Sequence, residues 1–116
     1  NRGISPIDDP QIEDFLIKDH LHNLCKVVEK RYELEDGSIL GRSRSGYLPF
    51  LRVIIFKEMV KTRSKVCEPA ILLYMNRNRS LYWRYNQTYD NNLIYEDFAD
   101  LVYEVERLNN KLVSNG

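Results

Sequence analysis

Apolar residues along this chain recur at three- and four-residue spacing far more often than they alternate, the pattern of helices that bury one face. Ile12, Phe15 and Leu16, followed by Leu21, Leu24, Val28 and Tyr32, predict one or two amphipathic helices over residues 10–33. Pro10 suits a first helical turn, with Asp9 as its N-cap. The turn Glu35-Asp36-Gly37-Ser38 and a short Ser38–Leu40 segment lead into a polar loop, Gly41-Arg42-Ser43-Arg44-Ser45-Gly46. A helix is expected from about Leu48 to Thr62, because Pro49 is tolerated in a first turn, where no backbone donor is needed. Its core stripe is Leu51, Ile54, Ile55 and Met59, with the aliphatic stem of Glu58.

Pro69 marks another first turn, and Ala70–Met75 reads as a short apolar helix. Asn76-Arg77-Asn78 is a tight turn, since Asn accepts left-handed backbone angles more readily than most residues. A further helix is expected from about Ser80 to Tyr89, a break at Asn91-Asn92, and a last helix from about Tyr95 to Leu112. That last helix carries Phe98, Leu101, Val102, Val105 and Leu108 on one face. With strand-like alternation nearly absent, the class is all-α, a compact helical bundle. The 116 residues suit a flexible lead-in over 1–9 and a single helical domain over 10–116.

No stretch approaches the roughly 20 apolar residues a spanning helix needs, so no membrane partner is expected. Asn1-Arg2-Gly3-Ile4 has no apolar run of the signal-peptide kind and no initiator Met, which suggests a trimmed chain or a piece of a longer one. Cys25 and Cys67 sit in apolar patterns and are expected to be reduced core thiols of a cytoplasmic protein, although their spacing leaves a bridge open.

The formal net charge is zero, but its distribution is uneven. Between Arg42 and Gln87 ten bases face only Glu58 and Glu68, a net +8, and the two flanks together carry −8. Such a separation is the footprint of a polyanion-binding face; it also suits a solvated surface whose segments compensate each other in the fold.

Two short helices joined by a tight turn, in the most basic part of an all-α chain, form a helix-turn-helix over about residues 68–89. At about 100° per residue, Leu81, Tyr85 and Tyr89 share one side of the second helix, with Tyr82 nearby; Ser80, Trp83, Arg84 and Gln87 share the other. The second group offers hydroxyl, ring, guanidinium and amide groups that can reach phosphates, base edges and thymine methyls in a major groove. Arg77 and Arg79 add phosphate reach, and free N–H groups at the helix entrance favour an anion as well. The short basic loop with Arg42 and Arg44 suits a minor groove, where negative potential concentrates. The expected DNA-contacting set is Arg42, Arg44, Lys65, Arg77, Asn78, Arg79, Ser80, Trp83, Arg84 and Gln87.

At these residues the chain resembles the C-terminal DNA-binding domain (domain IV) of the bacterial replication initiator DnaA. The resemblance runs from Val27-Val28 through Tyr32 and Leu34 into Ile39-Leu40-Gly41-Arg42-Ser43-Arg44 without a gap. It continues through Ser45, Pro49 and Arg52, and returns at Glu96-Asp97-Phe98 with Leu101. It covers roughly residues 20–103, with a small length difference around Asp90–Leu93. It implies a Trp-repressor-like helical bundle and sequence-specific binding of short duplex boxes in replication initiation or its regulation. The basic-loop role falls on Arg42 and Arg44. The family's signature run, typically Arg-Asp-His-Thr-Thr, falls on Arg77-Asn78-Arg79-Ser80-Leu81, its later phosphate-contacting His on Arg84, and a neighbouring Leu on Trp83. Here the chain departs most: an acidic acceptor becomes Asn78 and a cation is gained at Arg79, which shifts preference toward guanine or phosphate. The family's usual box is therefore not the expected target.

No Gly-rich phosphate loop ending in Lys-Ser/Thr is present, so the family's ATPase module is not in this chain. His20 and His22 fall on different helix faces, a poor metal geometry, and Asp97 and Asp100 read as solvated helix charge. The expectation is a non-enzymatic double-stranded-DNA-binding domain with no cofactor and no metal. A second reading keeps the scaffold for protein partners or self-association, through the aromatic stretch Tyr82–Tyr95 or the acidic last helix. A third is single-strand binding by aromatic stacking.

Overall fold

The computed structural model describes residues 10–115, and the side chains of residues 12–114. The expected lead-in and the Asp9 cap lie outside these. Five α-helices follow in order: α1 (Pro10–Arg31), α2 (Leu48–Thr62), α3 (Glu68–Tyr74), α4 (Tyr82–Asn92) and α5 (Glu96–Asn115), with a 3-10 turn at Arg79–Leu81 ahead of α4. The described chain is all-α, with no strand among the described residues.

α2 is the centre of the bundle. Leu48, Leu51, Val53, Ile54, Ile55, Phe56 and Met59 are all buried, together with Arg52 and Glu58. A helix apolar on every side can only be stable when neighbours cover every side, and α2 packs against α1, α3, α4 and α5. The expected stripe of α2 is therefore correct but too narrow. Glu58 also differs from expectation, because its carboxylate as well as its stem is buried.

α1 is one continuous helix, and its buried stripe is Ile17, Leu21, Leu24, Cys25 and Val28. Ile12, Phe15 and Leu16 do not join it and remain exposed. At about 100° per residue they lie roughly 100–160° around the helix from Ile17, while Glu13 and Asp14 occupy the continuation of the stripe. The Tyr74 hydroxyl of α3 donates to Asp14 at 2.6 Å there, so a polar contact closes this end of the interface.

α1 and α3 end in the same way. Leu34 N–H reaches the Glu29 carbonyl at 2.8 Å and Glu33 N–H the Lys30 carbonyl, with Glu33 at φ 55°. Arg77 N–H reaches Leu72 at 2.9 Å and Asn76 N–H reaches Leu73, with Asn76 at φ 62°. Both are Schellman closures, which satisfy the last carbonyls by turning one residue left-handed. The tight turn expected at Asn76 has this as its cause.

α4 continues through Asn91-Asn92 rather than breaking there; the Asn92 amide donates back to the Thr88 carbonyl at 2.7 Å, and the break falls at Leu93–Tyr95. Aromatic edges seat α4 on its neighbours: Phe56 with Tyr85 at 5.5 Å and Tyr89 with Phe98 at 5.8 Å. The expected face of α5 packs inward, and Asn109 is buried with it. Cys25 is buried as expected, whereas Cys67 is exposed just before α3; both are free thiols. Cys67 is the N-cap of α3; its side chain makes no cap hydrogen bond, and its carbonyl accepts from Ala70 N–H at 3.0 Å.

Candidate nucleic-acid interface

The segment from Gly37 to Gly41 has no helix or sheet to satisfy its backbone groups, so turn bonds from Ser38 and Gly41 N–H and several side chains do it. The buried Glu29 carboxylate accepts from Gly37 N–H at 3.1 Å and Ile39 N–H at 3.0 Å. Arg52 donates through Nε to the Ile39 carbonyl at 2.6 Å and through Nη2 to that of Ser38 at 3.0 Å. Arg77 donates to the Gly41 and Leu40 carbonyls. One helix thus supplies the acceptor and two other parts of the chain the donors. Beyond this anchored base, Arg42, Ser43, Arg44 and Ser45 are exposed.

The helix-turn-helix forms with the expected faces. Leu81, Tyr85 and Tyr89 pack against the core, and Ser80, Trp83, Arg84 and Gln87 face outward, Trp83 at 59% exposure. Lys57 and Asn86 hold α4 against α2 and α3. The Lys57 ammonium donates to Asn86 Oδ1 at 2.6 Å, and Asn86 Nδ2 donates to Glu68 at 2.7 Å.

Asn78 N-caps the 3-10 turn ahead of α4: its Oδ1 accepts from Ser80 N–H at 2.9 Å and from the Ser80 hydroxyl at 2.8 Å. Leu81 N–H is taken by the Asn78 carbonyl. The helix entrance therefore offers fewer free amides to an anion than expected, because Asn78 and Ser80 satisfy each other.

Arg42 and Arg44 from the loop, and Arg77, Asn78 and Arg84 from the helix-turn-helix, line one cleft of about 650 Å³. Pro49, Phe50, Leu81 and Tyr85 supply apolar surface in its walls. No carboxylate of the described residues lines it. Arg52 lines the cleft as well, and burial, with Arg77 and Arg44 nearby, lowers the pKa of its guanidinium from the ordinary value. Loss of solvent disfavours the charged form most, and the neighbouring like charges add to it. Lys65, Arg79, Ser80, Trp83 and Gln87 are placed outside the cleft; Lys65 sits on the α2–α3 loop, and the other four lie on the exposed surface of the 3-10 turn and α4.

The basic sector is smaller than the charge count implies. Arg52 and Arg77 are spent on backbone carbonyls and Lys57 on Asn86. Lys61 bridges Glu58 at 3.1 Å and Glu106 at 2.7 Å, and Arg63 donates to His20 at 3.2 Å. Arg42, Arg44, Lys65, Arg79 and Arg84 have no ion-pair partner among the described residues. Thr88 also lines the cleft and was missed; its spacing of four from Arg84 on the same helix was the available signal.

Among the described residues no group of three or more His, Cys, Asp or Glu side chains is placed to hold a metal ion. No helix among the described residues is long and apolar enough to cross a membrane. No protein-family model, curated protein or solved structure matches this chain.

Proposed function

We propose that this chain is a non-enzymatic double-stranded-DNA-binding domain, similar in mode to the C-terminal domain of DnaA, acting in replication initiation or its regulation. One observation carries the reading: the basic loop and the helix that follows Asn78 line a single cleft in which no carboxylate of the described residues takes part. A loop in a minor groove and a helix in the adjacent major groove must straddle the sugar–phosphate strand between them. On this reading the strand runs along the cleft, against Arg42, Arg44 and Arg84. Trp83, Arg79 and Gln87 then meet base edges or flanking phosphates in the major groove.

The test is fluorescence anisotropy of random and selected duplexes across a salt series. Neutralising about four phosphates predicts a slope of log K on log salt near −4. Arg44→Ala and Arg84→Ala should each weaken binding several-fold and flatten that slope by about one. Trp83 is the chain's single Trp, so its fluorescence should change on adding duplex. Retained affinity in both variants, with the fold intact, rejects this face.

The exposed Tyr82, Trp83, Leu93, Ile94 and Tyr95 favour a second reading as a protein-interaction surface, with Ile94 at 82% exposure. Self-association in analytical ultracentrifugation without salt-dependent duplex affinity would select it.

A further inference from the structure

Arg77 was expected to face DNA, yet its guanidinium is already committed. Nη2 donates to the Gly41 carbonyl, and Nη1 lies within 3.2–3.4 Å of the Asn76, Met75 and Leu40 carbonyls. Two of these acceptors belong to the base of the basic loop and two to the turn that opens the recognition segment. We propose that Arg77 is a positioning residue that locks the Arg42–Arg44 loop to the entrance of the recognition helix, so that both elements meet a duplex in one fixed relation. This rests on the duplex-binding reading above and names the residue that sets its geometry.

The loop needs such a lock. Glu29 and Arg52 hold its base as far as Ile39, Leu40 packs against the core, and Gly41 N–H bonds the Ser38 carbonyl at 3.2 Å, but none of these ties the loop to the helix-turn-helix. Beyond Gly41 its side-chain restraints are internal, from Ser43 Oγ to the hydroxyl and N–H of Ser45. A bond within a loop does not place that loop against another element. Gly41 itself sits tightly, since a Cβ there would meet the Gly37 carbonyl oxygen at 3.2 Å. Arg77 is the side chain that ties this tight base to the helix-turn-helix. A planar fork reaches several carbonyls at once, whereas an ammonium cannot reproduce that geometry. Fixing the loop before binding removes an ordering cost that a free loop would bear on contact with DNA. A guanidinium so engaged cannot turn to a phosphate without releasing the loop.

The experiment compares the unaltered chain with Arg77→Ala, Arg77→Lys, Arg44→Ala and the Arg44→Ala/Arg77→Ala pair, all first checked for cooperative melting. Trypsin cleavage after Arg42 and Arg44, followed without DNA, should accelerate about tenfold in both Arg77 variants, because cleavage follows loop opening. Unchanged cleavage overturns the lock whatever the chain does with DNA. In the duplex assay both Arg77 variants should lose about tenfold in affinity. The salt slope should flatten by about two, because both loop cations disengage. Adding Arg44→Ala to Arg77→Ala should then cost little more. Full affinity in Arg77→Lys, or a slope change of about one that adds to that of Arg44→Ala, makes Arg77 a direct phosphate contact and overturns the proposal. Where Arg77→Ala does not melt cooperatively, the charge-keeping Arg77→Lys decides. Absence of duplex binding by the unaltered chain overturns the duplex reading and with it the recognition role of the lock, while the cleavage rates still report the lock itself.

Discussion

The side-chain amide of Asn109 on α5 donates to the Glu58 carboxylate of α2 at 3.0 Å, with Asn109 1% and Glu58 3% exposed. The same amide nitrogen meets the Thr62 hydroxyl at 2.9 Å, and its oxygen accepts from His20 Nε2 at 2.7 Å. Lys61 supplies Glu58 with its counter-charge. The junction of α1, α2 and α5 is thus polar at its heart, and every buried side-chain polar atom among the described residues has a partner.

Asn109→Ala removes the group that serves three others at once. Replacing one member of a buried network costs the desolvation of those left unpaired, so a loss of about 2–4 kcal/mol is expected. Urea denaturation should show a lower midpoint with an unchanged slope. A midpoint equal to that of the unaltered chain would mean that water reaches Glu58.

His20 makes the same junction sensitive to pH. Its Nδ1 accepts from Arg63, so Nε2 carries the proton given to Asn109. Burial, opposed by the Asn109 bond, and then the Arg63 charge keep its pKa below the ordinary 6.5; Asp19 and Glu58 pull the other way. The folded state therefore holds fewer protons than the unfolded state at mildly acid pH. Its stabilising contribution is complete above about pH 6.5 and is lost as pH falls from there toward the folded value. Melting temperatures from pH 8 to about pH 5 should decline below pH 6.5, and His20→Gln should remove most of that decline. The Arg31–Glu104–Arg107 bridge between α1 and α5 acts in a lower window: Arg107 first and Arg31 second hold the Glu104 pKa down at about 2, so its contribution is lost as pH falls from the ordinary 4.5 toward that value.

The two thiols should differ sharply in reactivity. Burial, with Glu29 nearby, pushes Cys25 up to about 12, whereas Cys67 is exposed. Only the thiolate reacts, so one equivalent of a thiol-specific reagent should label Cys67 in the native chain. Cys25 should follow only on unfolding. Equal labelling of both thiols in native buffer would show that α1 opens readily.

Much of the architecture is legible in the residues alone, because helix-forming spacing is local. The extents of α2 and α3, the outward stripe of α4 and the inward stripe of α5 follow from periodicity and from where Pro49, Pro69 and Asn76 stand. The first half of α1 was misread because Ile12, Phe15 and Leu16 also have helical spacing. Periodicity identifies a stripe but not whether anything packs against it. The position of Cys67 was misread for a related reason, since a residue beside apolar neighbours at a helix start can still face outward.

What the sequence determined by itself is an all-helical chain with a basic middle third and a short helix pair joined by a tight turn. Only the tertiary structure decided which cations remain free. A long basic side chain takes whatever acceptor packing brings within about 3 Å. Those acceptors lie far along the chain: Arg52 meets Ile39, Arg77 meets Gly41, Lys61 meets Glu106 and Arg63 meets His20. Charge can be counted along a sequence, but its availability is set by distances between residues that only the fold brings together.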